Sequence, residues 1–212
     1  MKALEEKILK EGKVLPGNIL KVGSFLNHQI DVDFIMEMGR EAARLFEDEG
    51  ITKILTIETS GIAIAVGAGA AMHVPVVFAK KHKSSNVSGE VLSTVVHSYT
   101  HGTDYTVVVE KDYIKPDDKI LLVDDFLANG KALLGLIDIA EQAGAEVVGA
   151  CCAIEKGFQK GGDSLRADGI RVESLAIIDS MSDDSVTFRR LIRDNRGITA
   201  YQINNFSEEE EL

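Results

Sequence analysis

From about residue 51 onward, continuous apolar stretches alternate with segments of helical periodicity, and this alternation restricts the fold more than any other feature of the chain. The apolar stretches occur in TKILTIE, PVVFA, DKILLVDDF and EVVGACCAIE, and a further strand is predicted near residues 170–178. Helices are predicted between them at residues 61–72 and 130–143. Apolar strands joined by helices are typical of a parallel sheet that is covered on both faces. We therefore predict an α/β fold in which helices flank a central parallel sheet.

The rest of the chain is divided around this sheet. The 212 residues suffice for one domain with its own core, which we assign to residues 1–190. About the first 30 residues are expected to form a cap, and Asp31 is expected to cap a helix over residues 32–49. Residues 80–110 are polar at first and then β-rich, which predicts a hairpin or flap beside the sheet. Residues 191–212 form a C-terminal extension whose final SEEEEL run we expect to be disordered.

Charge and hydropathy exclude several classes of partner. The chain has 23 basic and 34 acidic residues, a net charge of -11, so its surface repels nucleic acid and anionic lipid unless a local site holds the anion.

Residues 61–79 are uncharged and long enough to span a membrane, but Pro75 favours a helix followed by a short strand. The N-terminus lacks a signal-peptide core, and the adjacent Cys151 and Cys152 are typical of buried thiols in a reducing compartment. We therefore expect a cytoplasmic protein with neither nucleic-acid nor membrane partners.

The most informative segment is ILLVDDFLANGKA, residues 120–132. It predicts a buried strand that ends near Asp124 and Asp125 and a turn that leads into a helix. Ligands of open parallel sheets bind at the carboxyl ends of the strands, a helix N-terminus favours phosphate, and Gly130 allows close approach of the backbone. The two carboxylates suit hydroxyl groups or Mg²⁺. Together these features predict a site for a ribose 5-phosphate, whereas a P-loop would need glycine in place of Asp125.

The run VDDFLANGKA resembles the phosphoribosyl pyrophosphate (PRPP) motif of type I phosphoribosyltransferases. Four more segments resemble purine-salvage members of that family and occur in the same order, namely ILKVGSFLNHQID, TIETSGIA, VVFAKKHKS and IEKGFQ. Two positions depart from the pattern: Asn129 stands where many relatives have threonine, and Ala132 where many have a hydroxyl residue. The backbone must therefore carry more of the phosphate binding here. The resemblance implies the type I phosphoribosyltransferase fold, with a flexible flap and an N-terminal hood.

The resemblance also implies an enzyme that transfers the 5-phosphoribosyl group from PRPP to a purine, with xanthine as the expected base and XMP and pyrophosphate as products. A homodimer, and Mg²⁺ bound with PRPP, are implied in the same way. Asp124 and Asp125 are implied to be catalytic together with Lys81, and the two carboxylates are also the expected metal ligands, directly or indirectly. The turn that would hold PRPP comprises Ala128, Asn129, Gly130, Lys131 and Ala132.

The remaining implied contacts concern the pyrophosphate and the base. Pyrophosphate is assigned to a second strand-end turn and to a basic cluster, namely Ser60, Gly61, Lys80 and Lys83. The alternatives are helix capping by Thr59 or Ser60 for the turn and a solvated charged turn for the cluster. Xanthine is assigned to Leu20, Asn27 and Lys156. Lys156 can donate to an exocyclic oxygen but finds no acceptor on an amino group, which favours 6-oxopurines. The alternatives are an ion pair with Glu155 or a surface lysine without a ligand. Asn27 offers a donor and an acceptor to the 2-oxo edge of the base.

Two other functions are compatible with the same fold. One is a regulator that senses PRPP without catalysis, which would need a DNA-binding module or a basic face that the sequence does not indicate. The other is a transferase for a different base, such as adenine or orotate.

Overall fold

The structure is a computed structural model that describes residues 1–81, 89–98, 103–182, 185–194 and 197–202. Three short helical turns, Gly23–Asn27, Lys111–Tyr113 and Gly157–Gln159, connect the main elements. In chain order these elements are α1 (Lys2–Glu11), β1 (Lys13–Leu15), β2 (Ile19–Lys21), α2 (Val32–Leu45), β3 (Lys53–Ile57), α3 (Gly61–Met72), β4 (Val76–Ala79), β5 (Val91–Ser98), β6 (Thr103–Glu110), β7 (Lys119–Leu127), α4 (Lys131–Ala143), β8 (Glu146–Lys156), α5 (Gly161–Ala167), β9 (Val172–Ser182), β10 (Ser185–Phe188), β11 (Arg190–Asp194) and β12 (Gly197–Gln202).

Six strands form the central sheet in the order β10-β9-β8-β7-β3-β4. The five strands from β9 to β4 pair in parallel, and β10 pairs with β9 in the antiparallel direction. The predicted α/β fold with a central parallel sheet is therefore confirmed. After β3 and β4 the chain crosses to the other side of β3 to add β7, β8 and β9. The crevice at the carboxyl ends of β3 and β7 is consequently the topological switch point, where open α/β sheets bind their ligands.

Two apolar cores lie on opposite faces of the sheet because successive strand residues point to opposite sides. On β7, Leu121 and Val123 belong to the core under α1, α2 and α3, whereas Ile120 and Leu122 belong to the core under α4, α5 and the β5–β6 hairpin. The adjacent cysteines of β8 divide in the same way, and both are buried, as predicted. Burial on both faces explains why these strands have continuous apolar sequences.

The helix and the strand predicted within residues 61–79 are present as α3 and β4. Among the residues that the structure describes, no helix is long and apolar enough to cross a membrane. Helix α3 packs against α2 through small residues: a Cβ atom on Gly39 would lie 2.2 Å from the carbonyl carbon of Gly67. The apolar run of this segment therefore reflects close helix packing.

The cap and the ends of the elements differ from the sequence prediction in detail. Asp31 caps α2 by accepting the Phe34 N–H at 3.2 Å, but α2 ends at Leu45 rather than at residue 49. The cap contains the short β1–β2 hairpin and a π-helical turn, which apolar periodicity did not reveal. The predicted β-rich excursion is the antiparallel β5–β6 pair. Lys83 and the acidic run at residues 207–212 lie outside the described residues.

Candidate active site

The two acidic residues of β7 lie at the switch point but in different environments. Asp124 is buried, and its Oδ1 atom accepts the backbone N–H of Asp125 at 2.9 Å. Burial first, and the neighbouring charge of Asp125 second, raise the pKa of Asp124 well above its ordinary value, while the charge of Lys81 acts in the opposite direction. Asp125 is only half-buried. The site thus has one enclosed carboxyl group and one that a ligand can reach.

Asp125 contacts a residue of the cap. The Nδ2 atom of Asn27 donates to Oδ2 of Asp125 at 3.2 Å, although the two residues are 98 positions apart in the chain. Asn27 ends the π-helical turn and its side chain is exposed. The fold therefore brings a residue assigned to the base next to one assigned to the ribose.

The turn between β7 and α4, which the sequence analysis assigned to PRPP, leads directly into the start of a helix. Gly130 precedes the first helical residue with φ +81°, a left-handed conformation that glycine adopts readily. The Asn129 Oδ1 atom accepts the backbone N–H of Lys131 at 3.2 Å. Helix α4 therefore begins at Lys131, one residue later than predicted, with its first N–H groups next to Ala128–Gly130.

A residue that the sequence analysis did not single out supports this turn. Gly161, the first residue of α5, donates its N–H to the carbonyl oxygen of Ala128 at 3.1 Å. A Cβ atom at position 161 would lie 2.3 Å from that oxygen and 2.6 Å from the Gly130 nitrogen. The only signal in the sequence is the Gly161-Gly162 pair, because two glycines at the start of a helix often mark a close approach of backbones.

Lys156, one of the residues assigned to the base, lies at the end of β8. The Lys156 ammonium group donates to the Asn18 carbonyl oxygen at 3.0 Å and lies 5.6 Å from the centre of the Phe126 ring. Half-burial lowers its pKa. The alternative ion pair with Glu155 is wrong, since the Glu155 carboxylate is bound by Arg166 at 2.7 and 3.0 Å.

The third residue assigned to the base lies deeper. Leu20 is buried in the core beneath the cap.

The second strand-end turn lies between β3 and α3 and contains a cis peptide bond between Glu58 and Thr59. Ser60 makes no capping hydrogen bond through its side chain, so that alternative role does not apply to Ser60. A Cβ atom at Gly61 would lie 2.3 Å from Thr56 Oγ1 and 3.1 Å from Asp124 Oδ1. Glycine thus lets the start of α3 approach the carboxyl groups of β7.

The basic segment after β4 links this turn to the β5–β6 hairpin. The Lys81 N–H donates to a carboxylate oxygen of Glu58 at 2.6 Å, and its ammonium group lies 5.4 Å from the centre of the Tyr105 ring. Lys80 pairs with Val108 of β6 through two backbone hydrogen bonds of 2.9 Å. A chain segment with two cationic side chains therefore lies between the α3 turn and the hairpin.

Three kinds of ligand group fit this arrangement. Backbone N–H groups at two helix starts suit phosphates, the reachable carboxylate suits hydroxyl groups or an oxygen-coordinated cation, and Asn27 and Lys156 offer hydrogen bonds to a planar base. Within the described ranges, no three His, Cys, Asp or Glu side chains cluster in a way that could hold a metal ion.

Comparison with known proteins gives consistent matches. The phosphoribosyl transferase domain model matches residues 27–180. The xanthine phosphoribosyltransferase of Lachnoclostridium phytofermentans is 55% identical over 191 residues, covering 89% of this chain and 98% of that protein. The enzyme of the same name from Limosilactobacillus reuteri is 54% identical over 188 residues, with the same coverage of 89% and 98%. That of Oceanobacillus iheyensis is 52% identical over 193 residues, covering 91% and 100%.

Solved structures agree on the fold. The adenine phosphoribosyltransferase of Giardia lamblia in complex with 9-deazaadenine aligns with a TM-score of 0.70 at 22% identity, covering 84% of this chain and 98% of that chain. The adenine phosphoribosyltransferase of Rhodothermus marinus aligns with a TM-score of 0.67 at 22% identity, covering 84% and 100%.

Proposed function

The chain belongs to the phosphoribosyl transferase family, and on this premise we propose that it transfers the 5-phosphoribosyl group of PRPP to xanthine, giving XMP and pyrophosphate. The observation that carries the proposal is identity above 50% with several xanthine phosphoribosyltransferases over about nine-tenths of the chain. The purine-salvage role follows from the reaction, because it converts a free base into a nucleotide.

The reaction requires opposite charges to be stabilised at two places. The bond between ribose C1 and the pyrophosphate oxygen breaks, its electron pair leaves with pyrophosphate, and a purine nitrogen forms the new bond to C1. Positive charge therefore develops on the sugar, next to the carboxylates of Asp124 and Asp125, and negative charge develops on the leaving group. We assign Lys80, Lys81 and Lys83, with the Ser60–Gly61 turn, to that leaving group.

The substrate groups are assigned to the elements described above. The 5'-phosphate would bind at the Ala128–Ala132 turn, whose N–H groups lie at the start of α4. The ribose hydroxyl groups would bind Asp125, the carboxylate that is open to a ligand. Because Asn27 already donates to Asp125 at 3.2 Å, ribose binding at that carboxylate would free the Asn27 amide for the base.

We propose that Mg²⁺ enters with PRPP. The carboxylate oxygens at this site are the hard ligands that Mg²⁺ prefers, and in proteins this ion commonly keeps several ligands from water and substrate phosphates. When bound, it would supply positive charge that neutralises the departing pyrophosphate. Asp125 is the residue best placed to hold the ion. Asp124 orients Asp125 because its side chain accepts a hydrogen bond from the Asp125 backbone N–H.

The base is assigned to the region between Asn27 of the cap and Lys156 at the end of β8. Lys156 would exchange the Asn18 carbonyl for the 6-oxo group of xanthine, and Asn27 would bind the 2-oxo edge. A base with an amino group at position 6 would offer the lysine no acceptor, which costs affinity relative to a 6-oxopurine. Leu20 would provide apolar support beneath the cap.

The β5–β6 hairpin, with the segment from residue 80, is assigned to a flap that closes over PRPP and excludes water. A groove of about 530 Å³ is lined by Lys81 and by hairpin residues that include Ser93, Asp104 and Tyr105. We further propose a single catalytic domain over residues 1–190, a homodimer and a cytoplasmic location. The first is supported by the match of about 190 residues to each relative, and we propose residues 191–212 as the extension. The other two rest on the family resemblance.

The decisive experiment incubates the purified protein with PRPP and Mg²⁺ and with xanthine, guanine, hypoxanthine or adenine separately, and quantifies both nucleotide and pyrophosphate. We expect XMP to form with the highest kcat/KM. Preferential formation of another nucleotide would refute the assignment of the base. No product from any base, together with measurable PRPP binding, would favour the non-catalytic regulator. Sedimentation of the same sample tests the dimer.

A further inference from the structure

Arg189 joins three elements behind the base side of the site. Its backbone N–H donates to the Ile177 carbonyl at 2.8 Å, which anchors it beside β9. Its Nε atom donates to Asp179 Oδ1 at 3.0 Å, and its Nη1 atom donates to both carboxylate oxygens of Asp163 at 3.2 Å. Asp179 belongs to β9 and Asp163 to α5. A side chain that is only 11% exposed thus connects the strand and the helix that follow the base-binding strand β8.

The same guanidinium group lies directly against Gly157. A Cβ atom at position 157 would be 2.6 Å from Arg189 Nη2 and 2.9 Å from its Cζ atom. Gly157 immediately follows Lys156 and begins the helical turn Gly157–Gln159. The guanidinium group therefore forms the surface against which the backbone after Lys156 packs.

Helix α5 is fixed by a second ion pair and reaches the phosphate side of the site. Arg166 of α5 binds the buried Glu155 carboxylate with two hydrogen bonds, and Ser174 Oγ donates to the same carboxylate at 2.5 Å. At its other end, α5 contacts the phosphate turn through Gly161. Contacts thus run without interruption from the phosphate turn through α5 to Arg189 and on to Gly157.

We infer that Arg189 is a positioning residue for base recognition, an inference that rests on the proposed function. It does not reach the base itself. By holding Gly157 between α5 and β9, it fixes the direction in which Lys156 leaves β8 and keeps its ammonium group under the cap, 3.0 Å from the Asn18 carbonyl. Without the guanidinium group, the turn after Lys156 loses its packing surface and the Lys156 side chain is no longer held in one orientation. Asp163 and Asp179 can still be hydrated because both are partly exposed.

The test compares Arg189→Met and Arg189→Lys with Arg171→Met. Arg171 is a matched control: it also binds carboxylates, those of Glu49 and Glu173, and it donates to a backbone carbonyl, but it precedes β9 at the opposite end of the sheet. For each variant, the KM for xanthine, the KM for PRPP, kcat and Tm are measured.

We expect Arg189→Met to raise the xanthine KM by about tenfold, the loss that misplacing one hydrogen-bonding group produces, with a much smaller change in the PRPP KM and in kcat. Arg189→Lys keeps the positive charge but not the planar guanidinium group, so its xanthine KM should lie between those of wild type and Arg189→Met. Arg171→Met should lower Tm and leave the xanthine KM unchanged.

A second readout does not depend on catalysis. Amide hydrogen exchange in residues 156–160 should become faster in Arg189→Met and stay unchanged in Arg171→Met. An unchanged exchange rate there, or a normal xanthine KM in Arg189→Met, would overturn the inference, as would equal rises of the xanthine KM in the two Met variants. Failure of the proposed function would appear differently, as a wild-type protein that makes no XMP, and the exchange experiment would still decide whether Arg189 holds the turn.

Discussion

The contact between α5 and the phosphate turn makes Gly161→Ala a specific test of the PRPP site. Position 161 has no left-handed backbone conformation, so alanine is compatible with the chain itself. The conflict is with the neighbouring backbone, because the new Cβ atom would lie 2.3 Å from the Ala128 oxygen, 2.5 Å from the Asn129 carbonyl carbon and 2.6 Å from the Gly130 nitrogen. None of these atoms belongs to a side chain that could rotate away.

The required displacement sets the expected size of the effect. Ordinary contact begins at 3.4 Å, so the turn and the helix must separate by about 1 Å, the difference between 3.4 and 2.3 Å. A misplacement of about 1 Å in a positioned group can lower catalysis by about 100-fold. The stability cost should be smaller: overpacking costs about 1–3 kcal/mol, and the stiffer unfolded chain offsets about 0.4–1 kcal/mol of it. A net loss of about 1 kcal/mol lowers Tm by about 2–4 °C in a chain of this size.

Gly162→Ala is the matched control. It makes the same chemical change one residue later, but its Cβ atom would meet Glu155 Oε1 at 2.2 Å and Arg166 Nη1 at 2.8 Å. It should therefore disturb the buried ion pair and lower Tm more than Gly161→Ala, with a smaller effect on the PRPP KM. Steady-state kinetics at saturating base and thermal melts measure both quantities. A PRPP KM and kcat within about twofold of wild type in Gly161→Ala would refute the assigned role of the turn, since a displaced phosphate site must weaken binding or catalysis.

Three further predictions concern charged groups. Arg166→Met leaves the Glu155 carboxylate buried without its cation, so denaturant melts should show a loss of about 3–5 kcal/mol; a loss below about 1 kcal/mol, the range of a surface pair, would contradict this. Asp124→Asn should abolish activity and, at neutral pH, raise Tm. Burial and the charge of Asp125 raise the pKa of Asp124 in the folded state, so ionisation of Asp124 destabilises the folded protein above the pKa of the unfolded chain. The difference in Tm between variant and wild type should therefore disappear as the pH falls towards about 4. A difference in Tm that grows at low pH would contradict this prediction. Lys156→Ala should raise the KM for xanthine and reduce discrimination between oxo- and aminopurines in competition assays; unchanged selectivity would remove Lys156 from the base site.

The sheet could be predicted because burial on both faces leaves a continuous apolar sequence. Strands β7 and β8 are enclosed on both faces, so each has a continuous run of uncharged residues, 120–123 and 147–154, that makes it recognisable in the sequence. Helix α3 has no amphipathic pattern, but its glycines and alanines indicate the close packing against α2 that the structure shows. These strands and this helix could be predicted because each depends on the composition of its own segment.

The elements that escaped prediction depend on contacts between distant parts of the chain. Helix α5 has seven residues and begins with two glycines, which have the lowest helix propensity after proline. Its helical state is supported by the ion pairs of Arg166 and by the contact of Gly161 with the phosphate turn. The three-residue strands of the cap are similarly too short for a periodicity to be recognised.

The candidate site likewise has parts that adjacent residues form and parts that depend on contacts between distant segments of the chain. Asp124, Asp125 and the turn up to Gly130 are adjacent in sequence, so the strand–turn–helix pattern alone predicts their neighbourhood. The hydrogen bond between Asn27 and Asp125 joins residues 98 positions apart, and no local pattern predicts it. The alternative ion pair of Lys156 with Glu155 failed for a geometric reason: neighbouring residues of a strand point to opposite faces.

That alternation also explains how the two halves of the site are held together. Glu155 points towards α5, where Arg166 binds it, and Lys156 points towards the cap, where it contacts Asn18. One dipeptide at the end of β8 is therefore anchored to α5, which contacts the β7–α4 turn through Gly161, and is directed towards the cap. A substitution that displaces α5 should consequently change the KM for PRPP, through Gly161, as well as the KM for xanthine, through Glu155.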